Sequence, residues 1–233
     1  MLTPDEATGL PGSRDRLSKL SGLIGTRFRN QRLLKRSELL AALKPPEQEL
    51  VNWLFTADPS EFGLKLPFYG LEEPASIDEF VTLKRNLRSL KGEPVSDVQY
   101  VPKAVHAAFT SMQKTLVAEI DGRLVLSSAY RSPAFQVLVI CYNAKRHDYD
   151  LTQTLARVGL PGYSEHGLIK TCAIDVQLGH ERYVRDDTVD AFARSAEFAW
   201  LQKHASDFGF RLSYPPANEF GVPFEPWHWR YSG

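Results

Sequence analysis

The chain has 233 residues, 43% hydrophobic and 24% charged, with 28 basic residues balanced by 28 acidic ones. That length and composition specify a folded globular protein: one large domain, or a catalytic domain with a smaller helical extension. The zero net charge excludes capture of nucleic acid or of an anionic membrane by a bulk electrostatic field. Residues 1–16 are rich in Pro, Gly and charge and read as a mobile tail. They carry acids early and no apolar stretch of signal-peptide length, and no membrane span follows. The expected location is therefore the cytoplasm, or the cell envelope if a leader has been removed.

Gln31–Lys44 has leucines at helical spacing, and Pro45-Pro46 ends it and opens a second helix over Glu47–Phe55. Asp58–Pro74 reads as loop. Ser76-Ile77-Asp78-Glu79 has the pattern of a capping box, and Ile77, Phe80, Leu83, Leu87 and Leu90 then follow one helix face until Lys91-Gly92-Glu93-Pro94 stops it. A soft boundary falls near residue 95, giving an N-terminal tail and helical extension (1–95) and a second domain (96–233). Pro102 opens a helix to about Glu119, and Asp121-Gly122 is a turn. Leu124–Tyr130 reads as a strand, Pro133–Arg146 and Leu151–Val158 as helices, and Cys172–Leu178 as a strand. Thr188–Phe208 reads as one long helix ending at Gly209, followed by strands Phe210–Tyr214 and Pro223–Tyr231. Helices and strands mix without a βαβ rhythm, which predicts an α+β fold with an antiparallel sheet. Cys141 and Cys172 lack the spacing of a metal knuckle and read as buried apolar residues, with a single disulfide between them left open.

Of six histidines, His147, His180 and His204 sit among polar residues and are expected at the surface, and His106 partly packed in a helix. His166 and His228 stand apart. His228 follows Glu225 by three positions inside an aromatic run. It reads either as a satisfied histidine on a buried edge strand or as a metal ligand beside a general base. In a regular strand positions i and i+3 face opposite ways, so the second reading needs a break, for which Pro226 gives a reason. Asp175 lies between Ile174 and Val176 in a strand, where a buried charge needs a partner or a metal. Two imidazoles and one carboxylate match a catalytic zinc site, whose fourth position is left to water.

Four segments, in order, carry a family resemblance. Ser127-Ser128-Ala129-Tyr130-Arg131-Ser132 with Gln136 resembles an SGYRS…Q motif, and Pro161-Gly162-Tyr163-Ser164-Glu165-His166 a PGxSEH motif. Ala173-Ile174-Asp175 resembles an AxD ligand motif, and Glu225-Pro226-Trp227-His228-Trp229-Arg230-Tyr231 an EPWHxRY ending. Together they resemble the VanY-type D-alanyl-D-alanine carboxypeptidases, within a wider group that includes D-Ala-D-Ala dipeptidases, L,D-carboxypeptidases and hedgehog-like zinc domains. The match covers about residues 100–233. One departure is the interval of nine from His166 to Asp175, against the family's HxxGxAxD, with Thr171 where glycine is usual. A longer hairpin tip or a bulge absorbs two residues without turning Asp175 to the other face.

The resemblance implies a central antiparallel sheet flanked by helices, with one zinc ion held by His166, Asp175 and His228. It implies Glu225 as general base and Arg131 as anchor for a substrate carboxylate. Ser128, Gln136 and Ser164 are further candidates for substrate contact or for support of the zinc ligands, and Trp227 and Trp229 for core and pocket wall. The expected partner is a peptide or peptidoglycan fragment, with no nucleic acid. The expected reaction removes terminal D-Ala from a stem peptide. The alternatives are a D-Ala-D-Ala dipeptidase, an L,D-carboxypeptidase, an endolysin-type endopeptidase, or a non-catalytic zinc-containing binding domain.

Overall fold

The computed structural model of the chain describes residues 3–88, 94–179 and 189–233. From residue 3 onward, the stretch read as a tail is instead ordered into α1 (Pro4–Thr8) and the start of α2 (Ser13–Gly25). Short polar side chains do this by satisfying backbone groups locally. Thr3 and Glu6 form a capping box, and the Asp5 carboxylate accepts from the amides of Gly12 and Ser13, both at 2.8 Å. Helix α3 (Arg36–Ala41) is shorter than the leucine pattern suggested, because the residues before it close into turns through Gln31 N to Phe28 O and Leu34 N to Gln31 O. In α4 (Pro45–Thr56) both prolines sit in the first turn, where a missing N–H leaves no helical bond unmade.

The largest departure follows. The capping box at Ser76 forms, but it heads only a 3-10 turn, Ile77–Glu79. Strand β1 (Phe80–Arg88) then pairs antiparallel with β2 (Pro94–Pro102), from Phe80 opposite Pro102 to Arg88 opposite Pro94. The apolar spacing fits a helix, yet the ladder to β2 claims the backbone, and local periodicity cannot see that partner. The expected stop over residues 91–93 lies outside the described residues.

Pro102 leads directly into α5 (Lys103–Ile120), which buries Val105, Phe109, Met112 and Leu116 along one face. Strand β3 (Leu124–Ser128) comes next. Ser132 caps α6 (Pro133–Arg146), its hydroxyl accepting from Phe135 N at 3.1 Å and donating to Leu34 O at 2.6 Å. Then come α7 (Leu151–Leu155) and β4 (Ala173–Leu178). The expected long helix is divided into α8 (Val189–Ala193), α9 (Ala196–His204) and a 3-10 turn, Ala205–Phe208. Ser195 makes the division by capping anew, accepting from Phe198 N at 3.0 Å. Gly209, at φ 78°, closes the run as expected. Strand β5 (Phe210–Leu212) and strand β6 (His228–Tyr231) are both shorter than expected.

The chain forms two compact units, each drawn from three stretches. One comprises Met1–Pro74, Arg131–Gly167 and Glu219–Pro223 and is helical. In it α2 packs along α6 and α4, burying Leu17, Leu20, Leu50, Leu54, Phe135 and Leu138. The other comprises Ala75–Tyr130, Leu168–Asn218 and Phe224–Gly233. It holds the β1–β2 hairpin, α5, α9 and a sheet ordered β3-β4-β6-β5 in which every pair is antiparallel. The class is therefore α+β, as the mixed pattern predicted. Among the described residues, no helix is long and apolar enough to cross a membrane.

Both cysteines are buried and no disulfide joins them. Burial also pushes the Cys141 thiol well above its usual range. His147 and His204 are half-buried rather than solvated, and His204 stacks on Trp200 at 4.9 Å. His180 lies outside the described residues.

Candidate metal centre

Strand register builds the centre of the site. Asp175 on β4 lies directly opposite His228 on β6, so both side chains project from the same face. They meet there, with His228 Nδ1 2.9 Å from Asp175 Oδ1. On the other edge of β4 the pairing with β3 slips between Leu126 and Ser128. That bulge sets Ser128 opposite Asp175, and Ser127 Oγ donates to Asp175 O at 3.0 Å.

Glu225 reaches the same place because β6 does not extend back to it. Pro226 and Trp227 form a turn closed by His228 N to Glu225 O at 3.1 Å. Trp229 Nε1 donates to Pro226 O at 2.9 Å, and Glu225 N to Tyr214 O at 3.1 Å, fixing the turn. The Glu225 carboxylate thus comes to 4.0 Å from His228 Nδ1. The Tyr214 ring packs against the His228 imidazole, centroids 4.9 Å apart. The side chains of His228, Glu225 and Asp175 are only 5%, 15% and 21% exposed. Two largely buried carboxyl groups beside one imidazole are a donor set suited to a divalent cation.

His166 lies on the 3-10 turn Glu165–Gly167, where both Glu165 and His166 are buried. Residues 168–172 between it and β4 form bends and turns, so most of the interval from His166 to Asp175 precedes the strand. One ligand atom each from His166, Asp175 and His228 lies within 4.8 Å of the other two. Two imidazoles and a carboxylate in that span fit a zinc ion that keeps one position open.

Of the remaining candidates, half-buried Arg131 donates its backbone N–H to the His166 carbonyl at 3.0 Å. Gln136 is 2% exposed, and its Nε2 donates to Gly159 O at 2.6 Å. Because a carbonyl fixes that end as the donor, the Gln136 amide oxygen is left buried with no partner among the described residues. Ser164 is half-buried, and its carbonyl accepts from Gly167 N at 3.0 Å. Trp229 is core, 3% exposed, whereas Trp227 is half-buried. Tyr130 is fully buried against Phe80, with centroids 4.9 Å apart.

Sequence reasoning missed Ser127, Tyr214, Glu165 and Tyr69, the last of which donates its hydroxyl to the Glu165 carboxylate at 3.0 Å. Glu165 and Ser127 lay inside segments already singled out, but neither was given a role of its own. The others are ordinary residues whose importance comes from a distant partner.

A family model described as VanY, D-alanyl-D-alanine carboxypeptidase, matches residues 98–233. A bifunctional D-Ala-D-Ala dipeptidase and D-Ala-D-Ala carboxypeptidase, VanXYC of Enterococcus gallinarum, is 33% identical over 144 residues, covering 60% of this chain and 72% of that protein. A D-alanyl-D-alanine carboxypeptidase of Enterococcus faecium is 24% identical over 168 residues, covering 71% of this chain. The match spans only 48% of that relative's length. Among solved structures, the LD-carboxypeptidase LdcB superimposes with a TM-score of 0.50 and 26% identity, over 70% of each chain.

Proposed function

The chain belongs to the VanY D-alanyl-D-alanine carboxypeptidase family, and from that premise we propose that it is a zinc-dependent carboxypeptidase removing terminal D-Ala from peptidoglycan stem peptides. The observation that carries the reading is the Asp175–His228 pair, fixed by register at 2.9 Å, with the Glu225 carboxylate 4.0 Å from the same ring nitrogen. In this reading residues 96–233 carry the chemistry and residues 1–95 form an extension.

His166, Asp175 and His228 would hold the zinc. When bound there, zinc supplies Lewis acidity toward the scissile carbonyl and makes a water easier to deprotonate. Glu225 takes the proton of the attacking water on a carboxylate oxygen. As the water oxygen bonds to the carbonyl carbon and the C–N bond breaks, Glu225 passes that proton to the leaving amine. Arg131 pairs its guanidinium fork with the substrate's terminal carboxylate. The tie between its backbone and His166 supports that role, since it holds the anchor next to a ligand. Gln136, buried with its Nε2 donating to Gly159 O, would support the loop that leads to His166. Ser128, opposite Asp175, and Ser164, two residues before His166, are further polar contacts for the peptide.

The names of the relatives keep a second reading in view, cleavage of free D-Ala-D-Ala or of an L,D bond. Zinc-loaded protein should be incubated with a pentapeptide stem, a tetrapeptide stem and free D-Ala-D-Ala, and the products weighed by mass spectrometry. Release of one D-Ala from the pentapeptide alone is the expected result. Cleavage of free D-Ala-D-Ala alone, or of the tetrapeptide's L,D bond alone, would transfer the assignment. Stoichiometric zinc with no hydrolysis would point to a binding domain.

A further inference from the structure

Tyr69 lies outside the residues that the family model matches, yet the segment around it is fastened to the loop that carries His166. Residues 63–71 have no regular secondary structure and are pinned at their start, where Lys65 N donates to Phe220 O at 2.9 Å and Leu64 and Leu66 are buried. Their far end grips residues 162–165. Tyr69 N donates to Gly162 O at 2.7 Å, and the Phe68 ring meets Tyr163 edge-on, with centroids 5.2 Å apart. Gly162 is needed for this fit twice over. Its φ is +86°, and an added Cβ would come within 2.5 Å of the Phe68 ring.

The last contact falls on a buried carboxyl group that the proposed chemistry does not use. Glu165 is 3% exposed and accepts from the Tyr69 hydroxyl at 3.0 Å. A carboxyl group at that depth needs hydrogen-bond partners, and the Tyr69 hydroxyl is one of them, so this contact couples residues 67–71 to the turn that carries His166. Glu165 and His166 are consecutive in a single 3-10 turn, and the Arg131 amide holds the His166 carbonyl at 3.0 Å.

We propose that residues 67–71 brace the His166 loop and that Tyr69, acting through Glu165, is a positioning residue that presets His166 for metal. The idea rests on the zinc reading above only for the word metal; the brace itself is a set of contacts within the chain. Outer groups that orient metal ligands commonly matter by about 10–100-fold in affinity or activity, and the low end of that range is expected here.

The test is a double-mutant cycle with Tyr69→Phe, which removes only the hydroxyl, and Glu165→Gln. Two quantities are read: amide hydrogen exchange of residues 162–167 in metal-free protein, and the zinc dissociation constant by chelator competition at a temperature where all variants are folded. Tyr69→Phe is expected to speed exchange in that loop and to weaken zinc binding about tenfold. The double variant should be no weaker than the worse single one, because both changes break one linkage. Wild-type exchange and wild-type zinc affinity in Tyr69→Phe would overturn the proposal, as would fully additive losses. A merely structural tyrosine would lower the thermal midpoint and leave the affinity of the folded protein alone. Failure of the wild-type protein to take up zinc would sink the carboxypeptidase reading, while exchange in the metal-free loop would still decide for or against the brace.

Discussion

Glu225 is placed by a turn rather than by a strand, and that has a measurable consequence. Its carboxylate approaches His228 from outside β6, so it is not needed to hold the strand pair that aligns Asp175 with His228. Glu225→Ala is therefore expected to lower kcat by at least about 100-fold, within the range general-base removal gives, while the protein retains one equivalent of zinc by elemental analysis. Loss of zinc in step with activity would contradict the assignment of base to Glu225 and ligand to the others. Arg131 makes a different prediction, because its proposed contact is to substrate and not to the reacting water. Arg131→Ala should weaken kcat/KM for peptides with a free C-terminus and have little effect on C-terminally amidated ones, whose hydrolysis should already be poor. Equal losses on both substrates would remove the guanidinium from the carboxylate. Asp175, Glu225 and His228 could be singled out as candidates in the sequence because each stands in an unusual neighbourhood: a charge between Ile174 and Val176, an acid and a histidine inside an aromatic run. Tyr214, whose ring packs on His228, and Ser127, whose hydroxyl holds Asp175 O, had no such mark.

At the scale of elements, short polar caps decide where helices begin and end. Asp150 caps α7 by accepting from Gln153 N and Gln153 Nε2, both at 2.9 Å. Burial by itself would raise its carboxyl, but the hydrogen bonds from Gln153 outweigh it and hold the group below the usual carboxylate range. A carboxylate depressed by folding contributes stability that is fully present above its unfolded value, about 3.9, and is lost as pH falls through the folded one. Asp150→Ala should accordingly cost about 1 kcal/mol at neutral pH by urea denaturation. The gap from wild type should shrink below about pH 4. A gap that stays constant across that range would mean that the cap acts through packing and not through its charge. The same scale holds the clearest misreading, β1. Phe80, Leu83 and Leu87 fit a helix face, and the Ser76 capping box is real, but β2 takes the backbone of Phe80–Arg88. Helix α5 was legible for the opposite reason, since its apolar face and its proline start need no partner to be recognised.

At the scale of the molecule, a bound ion would draw together donors from stretches that are far apart in the chain, so metal and stability should be linked. Zinc at about a thousand times its dissociation constant adds about 4 kcal/mol to a folded state that alone binds it. Chelation should lower the thermal midpoint, re-addition of zinc should restore it, and His228→Ala should show no zinc-dependent shift. A midpoint indifferent to zinc in the wild-type chain would argue that the three donors do not share an ion. Each compact unit is itself drawn from three separate stretches, and no local pattern announces which stretches join. By itself, the sequence determined the α+β class, the helices with self-contained caps and faces, and the unusual residue types of the candidate site. Those features follow from chemistry within a few residues of chain. Only the tertiary structure decided that Phe80–Arg88 is a strand, that Asp175 stands opposite His228, and that Tyr69 reaches Glu165. Each of those depends on hydrogen-bond partners brought from elsewhere in the chain, and periodicity along a segment contains no information about who its partner will be.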